Sequence, residues 1–479
     1  MSGPAHRLED MTCRTFVPPY ILERLASHPD PTIAARARDA LDLDERLREL
    51  RRGLPSAGAE RERAARPTPP RRVPGAGPGP RRTVGDAHGR TSTPGRTVRR
   101  EGDEPTGDIA ADEAYDGLGA TWRLWFEGFG RDSLDGKGMP LLATVHYGID
   151  YDNAFWDGTQ MVFGDGDGVI FERFTRSLDV IGHELAHGVT EHTAGLLYQG
   201  QSGALNESLS DVFGVLVRQY SLGQTAAEAD WLIGADLLAP GVQGRALRDM
   251  LHPGTAYDDP RLGTDPQPAD MDHFVVTTDD HGGVHINSGI PNRAFALAAL
   301  AIGGHAWEDA GHIWYAALTG DGIAADCDFA TFADLTVAAA ARRNGDGSAQ
   351  ASAVRAAWEQ VGVLHRPGDE PQSGGDGFDE VHGEVPGAGA EVLLRRSGGF
   401  AGLVKERRIV IGELPDREAR HWRQLLAAPT LQQIARDQTT HPDAYCYELW
   451  CTQPEVHVTL AEPHLPEAIH SLFERSLEE

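Results

Sequence analysis

The stretch His183-Glu184-Leu185-Ala186-His187 decides how the rest of this chain is interpreted. A spacing of four residues places both imidazoles on one face of a helix, one turn apart, where they can share a metal ion. The Glu184 carboxylate emerges beside them, close enough to take a proton from a water that zinc has activated. The same pentapeptide also arises by chance in soluble helices, so a zinc site requires further residues elsewhere in the chain.

A second acidic motif follows in Asn206-Glu207-Ser208-Leu209-Ser210-Asp211. A catalytic zinc takes three protein ligands and keeps one open position, and Glu207 is the natural third ligand. Asp211 lies one turn further along the same helix face, where its carboxylate can accept the free ring N–H of a ligating histidine. Two solvated helix charges are the ordinary alternative, which the upstream motif makes the weaker interpretation.

Longer strings give these residues a common context. NAFWDGTQMVFGDGDG, HELAHGVTEHTAGLLYQ, SGALNESLSDVFG and GGVHINSG occur in this order between about Val98 and Val363. In order and spacing they resemble the thermolysin family of zinc endopeptidases. The resemblance also gives a role to a histidine in a glycine-rich turn, His285, which on its own is more often a surface residue.

The resemblance implies roles for the matching positions. The implied zinc ligands are His183, His187 and Glu207. Glu184 is the implied catalytic base, Asp211 binds the ring of a ligating histidine, and His285 and Tyr198 stabilise the oxyanion, with Asp280 orienting His285. The implied residues that hold the substrate backbone are Asn153, Ala154 and Arg248. Six apolar positions match the pocket for the residue after the cut: Phe171, Phe174, Val180, Ile233, Leu237 and Leu247. An apolar pocket of this kind predicts cleavage on the N-terminal side of bulky hydrophobic residues. The alternative is that these six residues only form core, as most apolar residues do.

The implied fold is α+β and two-lobed. A β-rich lobe is expected over residues 98–175 and a helical lobe over residues 176–364, with the zinc cleft between them. The chain departs from the family at its calcium sites. The positions matching the double site are Asp179, Arg218, Asp230, Leu232 and Ala235, and those matching a second site are Leu238, Ala239, Val242 and Arg245. So few carboxylates cannot cage calcium, and we expect one catalytic Zn²⁺ without structural Ca²⁺.

The N-terminal part is predicted to restrain the enzyme. Residues 1–52 contain CRTFVPPY from Cys13, followed by helical patterns near 19–27 and 32–51. They resemble the short propeptide of protealysin-like members of the family; an ordinary interaction helix is the alternative. A sharper hypothesis is that the Cys13 thiolate caps the zinc, although most single cysteines bind no metal.

A linker is predicted after the propeptide. Residues 50–100 hold 13 arginines against 3 acidic residues, with Pro and Gly throughout, and such a composition does not bury a core. We therefore expect a disordered linker over residues 53–97. Exposed disordered segments are preferred cleavage sites, so activation is predicted between about Arg71 and Arg96.

The C-terminal part is predicted to form a further small α+β domain. After a Gly- and acid-rich linker at residues 365–390, residues 391–479 suggest strands near 391–396, 403–411, 445–451 and 455–460, and helices near 416–427 and 465–476. RRSGGFAG, YCYEL and the closing helix resemble emfourin, an inhibitor of protealysin-like enzymes. A tethered inhibitor acts at high effective concentration, and we expect the loop at Ser397–Gly402 to enter the cleft near Glu184. A generic binding or solubility domain is the alternative.

The amino-acid composition limits which binding partners and which cellular location are expected. The formal net charge is −28, and the strongly acidic part after residue 105 lacks basic patches, which argues against nucleic acid and against an anionic membrane as partners. No stretch approaches the roughly 18 apolar residues of a spanning helix, and residues 1–15 lack the apolar core of a secretory signal. The four cysteines form no disulfide framework. We expect a cytoplasmic protein by default, with secretion by a non-classical route left open.

The function predicted is that of a zymogen of a neutral zinc metalloendopeptidase. It cleaves peptides or proteins through zinc-activated water with Glu184 as base, restrained by its own propeptide and C-terminal domain. A catalytically silent zinc-binding scaffold, or a regulatory protein acting through the C-terminal domain, is the alternative; such a scaffold would be expected to lose Glu184, His285 or Tyr198. A zinc aminopeptidase shares H-E-x-x-H, but the chain has no G-A-M-E-N-like motif to hold a substrate amine.

Overall fold

The computed structural model describes residues 14–51, 77–277 and 279–364, and in the C-terminal part 390–398, 404–414, 445–452, 455–461 and some single positions. The chain divides into two compact units, Met1–Gly368 and Asp369–Glu479.

The N-terminal segment of the first unit contains a short strand and two helices. Strand β1 is Arg14–Thr15, helix α1 is Pro19–Ala26 and helix α2 is Pro31–Arg51. The two predicted helices are confirmed, and each begins at a proline, which has no backbone N–H to leave unpaired in a first turn. Because α1 buries Ile21, Leu22 and Leu25, this segment packs into the same hydrophobic core as the rest of the unit.

The β-rich lobe is built on one six-stranded sheet. Its further strands are β2 (Arg82–Asp86), β3 (Arg96–Arg100), β4 (Leu141–Val145), β5 (Ala154–Trp156) and β6 (Met161–Phe163). The strand order is β1-β5-β6-β4-β2-β3, so β1 forms one edge of the sheet. Helix α3 (Ile109–Arg123) packs on β2 and begins at Asp108, whose carboxylate accepts the Ala111 N–H at 3.1 Å.

The predicted linker over residues 53–97 extends too far, because β2 and the first two residues of β3 lie within it and belong to the sheet. Val84 is fully buried. The Arg82 guanidinium donates to both carboxylate oxygens of Glu101, at 2.8 and 2.6 Å, and Arg99 pairs with Asp112 at 2.9 Å. A high arginine content predicted a linker here, whereas Arg82 and Arg99 each have an acidic partner in the folded lobe.

The helical lobe begins with the two helices that carry the metal motif, α4 (Leu178–Glu191) and α5 (Gly200–Leu222). The other helices are α6 (Asp280–Asn287), α7 (Gly289–Ile302), α8 (Asp309–Thr319), α9 (Phe329–Asn344) and α10 (Ala349–Gln360). Helices α4 and α5 approach closely at Gly214, where a Cβ atom would lie 2.5 Å from the Asp179 carbonyl oxygen and 3.0 Å from the backbone nitrogen of His183. A glycine here therefore lets the two halves of the metal motif face each other.

Short strand pairs connect α5 to α6. Strand β7 (Leu232–Ile233) pairs with β8 (Arg248–Asp249), and β9 (Asp258–Asp259) pairs with β10 (Gly263–Thr264). The first unit is thus a β-rich lobe followed by a helical lobe, which confirms the predicted α+β, two-lobed fold. Among the described residues, none of the helices combines the length and apolar character needed to cross a membrane.

The second unit contains an antiparallel four-stranded sheet. Its strands are β11 (Glu391–Gly398), β12 (Lys405–Val410), β13 (Tyr445–Thr452) and β14 (Glu455–Ala461), in the order β12-β11-β13-β14. The four predicted strands are confirmed. Trp422 and Phe473, from the two predicted helices, are buried with their ring centroids 5.6 Å apart. The bounds of those helices, and most of the loop at Ser397–Gly402, lie outside the described residues.

Candidate metal centre and active site

Three buried side chains converge where α4 faces α5. The Nε2 atoms of His183 and His187 lie 3.1 Å apart. One carboxylate oxygen of Glu207 lies 3.5 Å from His183 Nε2, and the other lies 3.4 Å from His187 Nε2. Their ligand atoms all lie within 4.8 Å of one another, and all three residues are buried. Two imidazoles and one carboxylate form the set of ligands that a catalytic zinc takes.

The second ring nitrogen of each histidine is already bonded. His183 Nδ1 lies 2.8 Å from Asp211 Oδ1, and His187 Nδ1 lies 2.9 Å both from Asn206 Oδ1 and from Ser210 Oγ. These contacts fix the rings so that both Nε2 atoms point at Glu207, which is the arrangement that favours metal binding. The residues therefore fit one zinc ion on the geometry of their donors.

Asn206 and Ser210 were not predicted as site residues. They lie four residues apart on α5 and flank Glu207, so the helical period of the NESLSD string contained the signal. A bonded partner for the ring of His187 could have been sought there, as Asp211 was for His183.

Asp211 joins the metal centre to Arg248. The Arg248 guanidinium donates from Nε to Asp211 Oδ2 at 2.8 Å and from Nη2 to Oδ1 at 2.7 Å, and Asn292 donates to Oδ2 at 2.8 Å. Burial by itself raises the pKa of Asp211, but the charges of Arg248 and His183 outweigh it and hold that pKa well below its usual range. Asp211 is therefore ionised whenever the protein is folded at neutral pH.

The predicted oxyanion group is assembled beside Glu207. The Tyr198 hydroxyl donates to Glu207 Oε1 and lies 3.2 Å from His285 Nε2. His285 Nδ1 lies 2.6 Å from Asp280 Oδ1, and the His285 N–H donates to Asp280 Oδ2 at 2.8 Å. Burial lowers the pKa of His285, yet the charges of Asp280 and Glu207 outweigh it and leave the pKa raised. Asp280 thus holds the His285 ring with Nε2 turned toward Tyr198 and Glu207.

Glu184 is a buried side chain of α4 that faces strand β5. Its Oε2 accepts the backbone N–H of Trp156, in β5, at 2.9 Å. The neighbouring residue on α4 is the metal ligand His183, so the carboxylate lies beside the ligands, as the sequence predicted. The partner from Trp156 is a backbone group, for which the sequence carries no signal.

The N-terminal segment occupies the edge of β5 next to Glu184. Strand β1 pairs antiparallel with β5, and the Phe16 N–H donates to the Ala154 carbonyl oxygen at 3.0 Å. Val17 is held by the Asn153 amide, which accepts the Val17 N–H at 2.8 Å and donates to its carbonyl oxygen at 3.4 Å. Asn153 and Ala154, predicted to hold substrate as an added strand, here hold this segment in that way.

The Phe16 side chain enters the region predicted to be the substrate pocket. Its ring is fully buried, lies edge-on to His183 with centroids 5.1 Å apart, and has the Arg248 guanidinium 4.6 Å from its centroid. A Cβ atom at Gly234 would lie 3.3 Å from the Phe16 ring and 3.4 Å from Leu247 Cδ1. Phe16 therefore lies against β7 and β8, beside the metal ligands.

The six predicted pocket residues are all buried. Ile233, in β7, and Leu247, just before β8, are joined by a hydrogen bond in which the Leu247 N–H donates to the Ile233 carbonyl oxygen at 3.0 Å. The remaining four are Phe171 and Phe174, whose ring centroids are 5.9 Å apart, Leu237, and Val180 one turn before His183 on α4. In the described part of the chain, Arg248 Nη1 is buried without a hydrogen-bond partner.

The positions matching the lost calcium sites carry an ion pair. Arg218 donates to Asp230 at 3.2 and 3.1 Å, and Asp179 accepts the Gly234 N–H at 3.0 Å. A guanidinium thus neutralises an acid that calcium would otherwise need. The expectation of no structural calcium stays a prediction, as does zinc capping by Cys13, which lies outside the described residues.

Comparisons with known proteins agree on one family. Residues 81–191 match the profile described as thermolysin metallopeptidase, catalytic domain, residues 194–363 match its alpha-helical domain, and residues 394–477 match Emfourin. An "Extracellular metalloprotease" of Pectobacterium carotovorum subsp. carotovorum is 58% identical over 59% of this chain and 81% of the relative. "Protease PrtS" of Photorhabdus sp. (strain Az29) is 53% identical over 60% of this chain and 78% of its own length.

A solved structure is similar over the propeptide as well. It is titled "Precursor of Protealysin, Metalloproteinase from Serratia proteamaculans", is 50% identical, and has a TM-score of 0.65. The match covers 73% of this chain and all of that chain. The resemblance of the N-terminal and catalytic parts to a protealysin-like precursor, and of the C-terminal part to emfourin, is thereby confirmed.

The predicted cytoplasmic location is wrong. Similar relatives are named "Extracellular metalloprotease" and "Extracellular minor metalloprotease", which points to secretion. The prediction was based on residues 1–15, which lack the apolar core of a secretory signal. Relatives of this kind are nevertheless named as extracellular proteins.

Proposed function

Because the chain belongs to the thermolysin family of metallopeptidases, we propose that it is the precursor of a secreted zinc endopeptidase that cleaves before bulky hydrophobic residues. The observation that carries the proposal is the convergence of His183, His187 and Glu207 beside a buried Glu184. A catalytically silent scaffold is not favoured, since the base and the predicted oxyanion group accompany the ligands.

The chain's own residues supply the remaining parts of the chemistry. Zinc, when bound, provides a Lewis acid that lowers the pKa of water and polarises a carbonyl. Glu184 is proposed to accept a proton with its carboxylate and to deliver that proton to the leaving amine. His285 and Tyr198 are proposed to donate hydrogen bonds where negative charge develops on the carbonyl oxygen, with Asp280 keeping the His285 ring in place.

Phe16 supports the proposed specificity. The Phe16 ring already lies next to Gly234, directly after β7, and within 4.6 Å of the Arg248 guanidinium. Burying such a side chain stabilises a complex by roughly 1.5–3 kcal/mol, so an aromatic or large aliphatic residue after the cut is favoured. We assign Arg248 Nη1, buried beside this ring, to a substrate carbonyl.

Two parts of the chain are proposed to restrain the enzyme. Residues 14–17 occupy the strand position and the pocket that substrate would use, which accounts for inhibition by the propeptide. The emfourin-like domain, matched over residues 394–477, is proposed to inhibit the same polypeptide, since a tether raises its effective concentration. Activation is proposed between Arg71 and about Arg81, because β2 begins at Arg82.

Casein hydrolysis by the processed protein tests the proposal. We expect hydrolysis that a zinc chelator abolishes and added zinc restores, and a loss of about 100-fold or more in Glu184→Ala. Asp116→Asn, an exposed change on α3, is the matched control and should behave as wild type. Activity that survives chelation, or that is equal in Glu184→Ala, would refute the endopeptidase mechanism. Cleavage of unblocked peptides alone would favour an aminopeptidase.

A further inference from the structure

A second site of contact with the propeptide lies beside the substrate track. Arg36, on α2, reaches the β-rich lobe and places Nη2 2.6 Å from Asp150 Oδ2 and Nη1 3.8 Å from Asp167 Oδ2. Asp152 lies in the same group, because its Oδ1 accepts the Asp167 N–H at 2.8 Å. We call Asp150, Asp152 and Asp167 the acidic pocket.

Two of the three carboxylates in the acidic pocket are buried. With α2 in place, the Asp167 side chain is 1% exposed and Asp152 is 4% exposed, whereas the Asp150 side chain is 40% exposed. Burial and the charge of Asp167 raise the pKa of Asp152, and the charge of Arg36 acts in the opposite direction. Arg36 is thus a cation that compensates buried negative charge.

Removal of the propeptide takes this cation away. Three neighbouring carboxylates without this positive charge repel one another, so another cation that enters the acidic pocket is bound favourably. A guanidinium fits, since Arg36 occupies the pocket in the precursor.

The acidic pocket is continuous with the proposed substrate track. Asp152 directly precedes Asn153, whose amide binds the backbone of Val17. Asp167 directs its Oδ1 to the N–H groups of Val169, Ile170 and Phe171, and Phe171 is a predicted pocket wall. If Phe16 and Val17 stand for the first two residues after the cut, the acidic pocket borders the path of the residues that follow.

We propose that the acidic pocket is a substrate subsite that selects an arginine or lysine side chain at the second, third or fourth residue after the cleaved bond. In the precursor, Arg36 occupies this subsite, so the propeptide blocks it together with the hydrophobic pocket. The proposal rests on the endopeptidase function, and it concerns residues to which no role was given by the sequence motifs.

Matched peptides test the subsite in the processed protein, which lacks the propeptide and keeps the C-terminal domain. Each fluorogenic peptide has phenylalanine after the cut and carries either arginine or its uncharged analogue citrulline at one of the three positions. We expect arginine to raise kcat/KM about tenfold over citrulline at one position, and Asp150→Asn to bring the ratio close to one. Asparagine suits this position because Asp150 has φ of +50°, and Asp116→Asn, as control, should keep the wild-type ratio.

Salt gives a second readout that needs no variant. Raising the ionic strength toward 1 M, where the screening length is about 3 Å, should lower the arginine-to-citrulline ratio without lowering citrulline hydrolysis in parallel. A wild-type ratio near one at all three positions, or a ratio unchanged in Asp150→Asn and by salt, would overturn the subsite alone. Hydrolysis of none of the peptides would overturn the proposed function with it.

Discussion

At the scale of single residues, the centre depends on one shared carboxylate. Asp211 accepts from the His183 ring and from the Arg248 guanidinium with the same Oδ1 atom. The metal ligand and the proposed substrate-binding arginine are therefore positioned by one side chain, and a change there should affect both.

The variant Asp211→Asn is predicted to bind zinc about 10–100-fold more weakly, because the amide cannot support the His183 ring as a carboxylate does. Competition with a fluorescent chelator measures the affinity. The change should also raise KM, since Arg248 loses its ionised partner. Asp116→Asn should alter neither quantity, and a variant with wild-type zinc affinity would show that Asp211 does not support the ligand.

The residues that converge at this centre could be recognised in the sequence because they repeat at helical spacing. His183 with His187, and Glu207 with Asp211, each lie four residues apart on one helix face. Trp156 was missed because it acts through its backbone N–H, and Phe16 and Val17 were missed as occupants although they are the apolar pair before Pro18. Contacts between distant backbone groups leave no periodic signal in a sequence.

At the scale of elements, β1 and the ring that follows it anchor the propeptide. Replacing Phe16 by alanine removes a fully buried ring worth roughly 1.5–3 kcal/mol, which corresponds to about 10–100-fold weaker docking. We predict that the unprocessed Phe16→Ala precursor hydrolyses a small fluorogenic peptide at least tenfold faster than the wild-type precursor. Phe16→Leu, which refills the pocket, should stay near wild type. Equal rates in both variants would argue against Phe16 as the anchor.

Another element-scale contact joins the start of α3 to the loop after β6. His146 lies 2.8 Å from Asp165 through Nδ1 and 3.0 Å from Asp108 through Nε2, and Asp108 caps α3. The hydrogen bond to Asp165, together with Asp108, raises the pKa of His146 to about 9 against the opposing effect of burial. Since the folded pKa lies above the unfolded value of about 6.5, this contribution to stability is complete below pH 6.5 and is lost as the pH rises through 9.

His146→Asn should remove that dependence. Asparagine tolerates the left-handed backbone of His146, whose φ is +53°. We expect the free energy of unfolding of the wild type to decline between about pH 6.5 and 9 relative to the variant, whose profile should be flatter in this window. Urea unfolding of both proteins across that range is the measurement. Parallel profiles would show that His146 carries no such linkage.

The elements that the sequence mispredicted are those in which tertiary pairing overrides composition. Strand β2 and the start of β3 lie in an arginine-rich stretch that was interpreted as linker, yet Arg82 and Arg99 pair with acids on neighbouring segments. By contrast, the strands of the second unit were predicted correctly. Strand β14 shows the strand period most clearly, because the buried Val456, Val458 and Leu460 alternate with exposed residues.

At the scale of the whole molecule, one polypeptide carries an enzyme and an inhibitor-like domain. Deleting residues 370–479 is predicted to raise the peptidase activity of the processed enzyme several-fold or more, because the local inhibitor is removed. In the full-length protein, inhibition should not change on dilution, as expected for an intramolecular contact. Unchanged activity after deletion would leave the domain without an inhibitory role, and inhibition that weakens on dilution would indicate contact between molecules.

The edge position of β1 has a consequence for solubility. Once the propeptide leaves, the backbone N–H and C=O groups of β5 form the new edge of the sheet, and a bare edge is a template for strands of other copies. The three-residue length of β5 limits this hazard, although the edge must stay free to accept substrate. The precursor is thus the form better suited to accumulate at high concentration, and late processing shortens the time during which self-association can compete with substrate.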